Sequence, residues 1–148
     1  SRASVITCRR QAPPAAVAEL LRLPAGEPVL HLVRVRAREG APFGHYESWT
    51  SGLPGQVSRS TFRNTPRLEL FRRHGLAISH VTQTITAEAA SAELALRLEL
   101  PVGAPLISLV RHSFVRDNEK ERLVDVLHAH YHPERFQYRM DLELENSR

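Results

Sequence analysis

The chain has 148 residues, 42% of them hydrophobic and 24% charged, the balance of one globular domain with a sizeable core. No apolar run approaches the roughly 20 residues that span a bilayer, no signal-peptide pattern opens the chain, and Cys8, the single cysteine, excludes an internal disulfide. A cytoplasmic setting is expected. The net charge is +4, but the arginines are scattered, Lys120 is the one lysine, and no basic run alternates with aromatics, so an arginine-rich surface is expected rather than direct nucleic-acid binding.

The chain starts Ser1-Arg2, without an initiator methionine, and Met140 is its one Met, as expected of a fragment or processed chain. Residues 1–12 read as a linker. Pro13-Pro14 opens a helix from Ala15 to Leu23, which Pro24 stops. Val29 to Arg38 and Phe43 to Thr50 then form a hairpin about Glu39-Gly40-Ala41-Pro42. Residues 51–64 read as an irregular polar excursion. Thr65-Pro66 starts a helix running to His74, and Gly75 caps it. A strand over His80 to Ala87 precedes an Ala-rich helix from Glu88 to Arg97. Leu106 to Val115 and Arg122 to Tyr131 form a second hairpin about Asp117-Asn118-Glu119-Lys120, and Arg135 to Leu144 alternates as a last strand.

Part of this series repeats. Residues 21–34 (Leu-Arg-Leu-Pro-Ala-Gly-Glu-Pro-Val-Leu-His-Leu-Val-Arg) return at 98–111 as Leu-Glu-Leu-Pro-Val-Gly-Ala-Pro-Leu-Ile-Ser-Leu-Val-Arg. Each copy follows an Ala-rich helix and leads into a hairpin. The expected fold is α+β: an antiparallel sheet of about six strands, about three helices, and two related halves enclosing a cleft.

Residues two apart on a strand share a face, so Arg34, Arg36 and Arg38 point the same way. Planar guanidiniums suit carboxylate or phosphate. Glu47 and Asp125 take nearly matching places in the two copies, one carboxylate from each half. Such a pair serves acid–base catalysis, binds hydroxyls or pairs with arginine. Thr65, at a helix start, offers either an anion site or a simple cap. His128, His130 and His132 alternate on the face opposite Asp125 and Tyr131; a polar outer face is the preferred reading over a metal site, and no metal or other cofactor is expected.

Leu23-Pro24-Ala-Gly-Glu-Pro-Val29-Leu30 with Arg34-Val-Arg36, then Gly40-Ala-Pro42 before Glu47-Ser48, resembles the effector-binding UTRA domain of bacterial GntR-type regulators of the histidine-utilisation-repressor subfamily. Further matches are Leu70-Phe71 with His74-Gly75-Leu76, Gln83-Thr84-Ile85-Thr-Ala87, Leu100-Pro-Val-Gly-Ala-Pro-Leu106, and Tyr131 with Arg135-Phe136. The resemblance implies a chorismate-lyase-like fold without lyase activity, in a homodimer that senses a small metabolite and alters DNA affinity. Residues 1–14 are then a linker from a winged helix-turn-helix domain that contacts operator DNA, and 15–148 the effector-binding domain. It also implies ligand contacts from Arg34, Arg36, Thr65, Glu47, Asp125 and Tyr131, with Trp49 displacing a frequent aromatic. An anionic effector follows: a sugar phosphate, phosphonate or carboxylate. A lyase-like enzyme using Glu47 and Asp125, and a ligand-free dimerisation module, are the rival readings.

Overall fold

The computed structural model describes residues 2–53 and 57–145. Ten elements follow in order: β1 (Arg2–Gln11), α1 (Ala15–Leu20), β2 (Val29–Arg38), β3 (Ala41–Thr50), α2 (Arg59–Asn64), α3 (Arg67–Arg73), β4 (Ile78–Ala89), α4 (Ala92–Leu98), β5 (Pro105–Asp117) and β6 (Lys120–Tyr131). The six strands form one antiparallel sheet in the order β1-β2-β3-β6-β5-β4.

That order reads the same from either edge, because the chain is two β-α-β-β units meeting at the β3–β6 seam. The repeat reaches into the backbone. Arg22 and Glu99, at the same place in the two copies, both take positive φ (55° and 58°), and Gly26 and Gly103 both sit at 86°, where a side chain is disfavoured. Each hairpin closes through a two-residue turn with both φ positive, Glu39-Gly40 and Asn118-Glu119.

The symmetry also corrects the reading of residues 1–12. Residues 2–11 are not a linker outside the fold: Arg2–Gln11 is an edge strand along β2 and the counterpart of β4. The expected strand over Arg135 to Leu144 does not form. Phe136 N–H bonds back to the His132 carbonyl, and residues 137–145 carry no regular structure. β6 already has β3 and β5 on its two sides, so the alternating Tyr138, Met140, Leu142 and Leu144 stay exposed.

Four short helices replace the expected three. α2 lies in the excursion over 51–64, of which residues 54–56 fall outside the described residues. The fourth helix starts later than expected: β4 runs on to Ala89, and the Ser91 side chain accepts from Leu94 N–H to cap α4.

The helices take opposite faces. α1 and α4 cover one, seating Leu21 against Val29, Trp49 and Val126, and Ala95 and Leu98 against Leu106. α2 and α3 cover the other, where Phe62, Leu70 and Phe71 pack on Leu30, Leu32 and Val124. Fully burying each such side chain contributes about 1.5–3 kcal/mol.

Candidate anion-binding site

On the face covered by α3, the sheet floors a half-open cavity of about 580 Å3. β2 turns Arg34 and Arg36 into it, β5 adds Arg111, and the first residue of α3 adds Arg67. Arg111 is the repeat counterpart of Arg34, since each ends its copy's Leu-Val-Arg. Among the described residues no carboxylate lines the space, so its walls are cationic.

Arg67 Nη2 donates to Asp125 Oδ1 at 2.7 Å, and Arg111 Nε donates to Gln83 Oε1 at 2.7 Å. Arg34 Nε, like Arg67 Nε, is buried without a hydrogen-bond partner. Burial, with Arg67 and Arg36 nearby, pushes the Arg34 pKa down to about 10. Its guanidinium lies 5.6 Å from the centre of the Tyr46 ring. Tyr46 meets Tyr131 edge to face at 5.6 Å, and burial and the Tyr131 hydrogen bond push the Tyr46 hydroxyl above its usual pKa. Tyr131 stacks on Phe136 at 3.7 Å, fixing the wall.

Asp125 lies beneath the cavity rather than in its wall. It is 1% exposed and accepts from Thr50 Oγ1 as well as Arg67, while its Oδ2 has no partner. Thr65 is half-buried between α2 and α3. It is the residue after α2 and its N–H bonds the Thr61 carbonyl; Pro66, not Thr65, precedes α3.

Glu47 and Trp49 are on the other face. Arg34 lies opposite Tyr46, and Val33 lies opposite Glu47. The cause is a one-residue bulge: the register runs Arg38↔Ala41 and Ala37↔Pro42, then Arg36↔Gly44. Without the extra residue, Phe43, the two-residue turn would have aimed Glu47 into the cavity. A bulge between Ser113 and Phe114 shifts the second hairpin at the corresponding place. Counted through both bulges, Glu47 corresponds to His128, its direct partner across the seam, and not to Asp125. The two carboxylates therefore do not face each other across one cleft. Trp49 instead stacks on His31 at 3.7 Å, and Glu47 accepts from or pairs with His31 Nε2 at 2.7 Å.

On that second face His45, Glu47, Glu93, His128 and His130 line a smaller space of about 170 Å3 beside α4. Burial holds the pKa values of His45 and His130 below the usual imidazole range. His132 stands apart, its Nδ1 accepting from Glu134 N–H.

Arg67 and Arg111 were not singled out from the sequence. The repeat carried the signal for Arg111. Arg67 carried none beyond its place after Thr65-Pro66.

The family model for the UTRA domain matches residues 1–137. The chain belongs to the UTRA domain family. No curated protein has a significantly similar sequence. Among solved structures, a proposed transcriptional regulator from Streptomyces coelicolor superposes with a TM-score of 0.87 at 25% identity, covering 98% of this chain and 95% of that one. The ligand-binding domain of a proposed GntR-family transcriptional regulator from Bordetella bronchiseptica gives 0.82 at 27% identity, covering 95% and 89%. PhnF from Mycobacterium smegmatis shares the fold, with a TM-score of 0.81 at 21% identity, covering 97% of this chain and 63% of that chain. This UTRA domain thus has the architecture of GntR-family regulators, and residues 2–11 lie inside it. Among its described residues no helix is long and apolar enough to cross a membrane.

Proposed function

We propose that this UTRA domain is the effector-sensing part of a GntR-family transcriptional regulator, and that it seats a small anion against Arg34, Arg36 and Arg67. The observation that carries this reading is the cavity's composition: four arginines, no acidic lining among the described residues, and a buried Arg34 Nε without a partner. Like charges gathered in a low-dielectric space favour a ligand that neutralises them. A volume of about 580 Å3 suits a sugar phosphate, phosphonate or carboxylate with an apolar or hydroxylated remainder lying toward Tyr46, Leu127 and Tyr131.

Coupling to DNA runs through β1. Val5 pairs with Arg34 and Ala3 with Arg36, so a shift of β2 on ligand binding moves the first strand directly. α2 holds the same strand from the other side, Arg59 Nη1 donating to the Val5 carbonyl at 2.6 Å. α2 leads straight into α3, which carries Arg67. A winged helix-turn-helix domain preceding β1 in the full-length regulator would read that shift, and repression is relieved to the extent that the ligand binds one state better. The working form is a homodimer. Its support is the apolar row of Tyr138, Met140, Leu142 and Leu144, exposed on one chain.

A lyase-like enzyme is the weaker reading, because Glu47 and Asp125 lie on opposite faces and Asp125 is held by Arg67 and Thr50. Thermal unfolding with sulfate, phosphate, a phosphonate and a sugar phosphate tests the proposal. At about 100 times its dissociation constant a ligand adds roughly 2.7 kcal/mol, a rise of several degrees. Arg34→Gln removes that rise if the reading holds. A full rise retained in the variant, or no rise with any anion, refutes it.

A further inference from the structure

The face of the sheet away from the arginines carries a second constellation. Glu88 at the end of β4 reaches over β5 to two histidines of β6. Its Oε2 lies 2.6 Å from His130 Nε2 and 3.1 Å from His128 Nε2. The three ligand atoms lie within 4.8 Å of one another. Ser108 Oγ, on the intervening strand, is 2.7 Å from His128 Nε2. Two oxygens, Glu88 Oε2 and Ser108 Oγ, thus crowd the two Nε2 atoms.

A second observation comes from β3. His45 is the cross-strand partner of His130, so its imidazole stands on the same face. It is 6% exposed, and both of its ring nitrogens are buried without hydrogen-bond partners. Such a side chain costs stability unless something completes it. It lines the same space of about 170 Å3 as His128 and His130.

We infer that Glu88, His128 and His130 form a zinc(II)-class metal site, its fourth position open toward the space that His45 lines. Imidazole nitrogens with one carboxylate oxygen suit zinc or its borderline neighbours, whereas calcium and magnesium ask for more oxygen ligands. Bonds of about 2.0–2.2 Å in a tetrahedron hold donor atoms roughly 3.3 Å apart. To admit the ion, the 2.6 Å Glu88–His130 contact opens by about 0.7 Å and the 3.1 Å Glu88–His128 contact by about 0.2 Å. Strand geometry supplies the rest, since two residues apart on β6 place His128 and His130 side by side, their rings 4.0 Å apart. The metal would clamp β4 to β6 across β5, on the face opposite the arginine cavity and independent of it.

The test is calorimetric titration of the tag-free, chelator-treated chain with zinc chloride, with cobalt(II) absorption as a readout of tetrahedral ligation. One equivalent binds, cobalt gives the intense visible bands of a tetrahedral site, and zinc raises the melting temperature. Glu88→Gln and His128→Asn, both at accessible positions, weaken zinc binding by at least about tenfold, and His130→Ala by about 100-fold. His80→Ala, at a separate His–Glu pair, and Arg34→Gln leave it unchanged. Zinc binding equal in Glu88→Gln, His128→Asn and the unaltered chain overturns the site. So does the lack of binding at millimolar zinc, which would leave a hydrogen-bonded cluster only.

Discussion

Arg67 on α3 and Asp125 on β6 form a buried ion pair, Nη2 to Oδ1 at 2.7 Å, that ties the cover of the arginine cavity to its floor. The two side chains are 11% and 1% exposed, so little water screens them. Breaking one partner of such a pair leaves an uncompensated charge at a cost of about 3–5 kcal/mol. Asp125→Asn is expected to lower the urea midpoint accordingly. Sulfate should recover part of the loss, because Arg67 then faces the cavity without its carboxylate. An Asp125→Asn domain as stable as the parent would show that the pair holds nothing.

Arg34 sets a pH window. Its pKa of about 10 means that anion affinity stays level from neutral pH to about 9 and falls as pH rises through about 10. Sulfate is the right probe, since its own charge does not change there, and the raised pKa of Tyr46 keeps that hydroxyl neutral. The sign for stability is the reverse. A base whose folded pKa is depressed penalises the folded state while charged, and the penalty fades as pH rises past 10. Arg34→Met should therefore stabilise the ligand-free domain, by about 1 kcal/mol or more, while abolishing sulfate binding. Calorimetry at pH 8 and pH 10.5 checks the first statement and denaturant titration the second.

Glu47→Gln is expected to leave sulfate affinity within twofold of the parent, because Glu47 faces the second sheet surface. Its place shows where the sequence stopped being legible. The repeat revealed β2, β3, β5 and β6, and strand periodicity put Arg34 and Arg36 on one face. Facing between strands depends on register, and a single bulge residue at Phe43 inverts it without any sequence mark that stands out. β1 was hidden for another reason. Val5, Ile6 and Thr7 are β-branched, but ten residues beside a Pro-Pro pair read as a linker until the β4 counterpart is seen to need a mate. The alternation after Arg135 misled in the opposite sense: period two is necessary for a half-buried strand, but so is a free edge on the neighbouring strand, and β6 has none.

Gly44 makes room for Tyr46. A Cβ at residue 44 would come within 2.7 Å of the Tyr46 hydroxyl and 2.9 Å of its ring. Gly44→Ala should push that ring off its place beneath Arg34 and weaken sulfate binding several-fold, with little change in fold. Near-ultraviolet circular dichroism, sensitive to tyrosine packing, together with calorimetry, measures both effects. Unchanged affinity would show that the tyrosine does not shape the site.

The most direct measurement is the anomalous signal of selenate diffused into crystals of the domain. The account predicts a peak on the α3-covered face, within hydrogen-bonding distance of the Arg34 guanidinium and bordered by Arg36 and Arg67. A well-diffracting crystal at high selenate with no peak there, or with selenate bound only at other surface arginines, would contradict it.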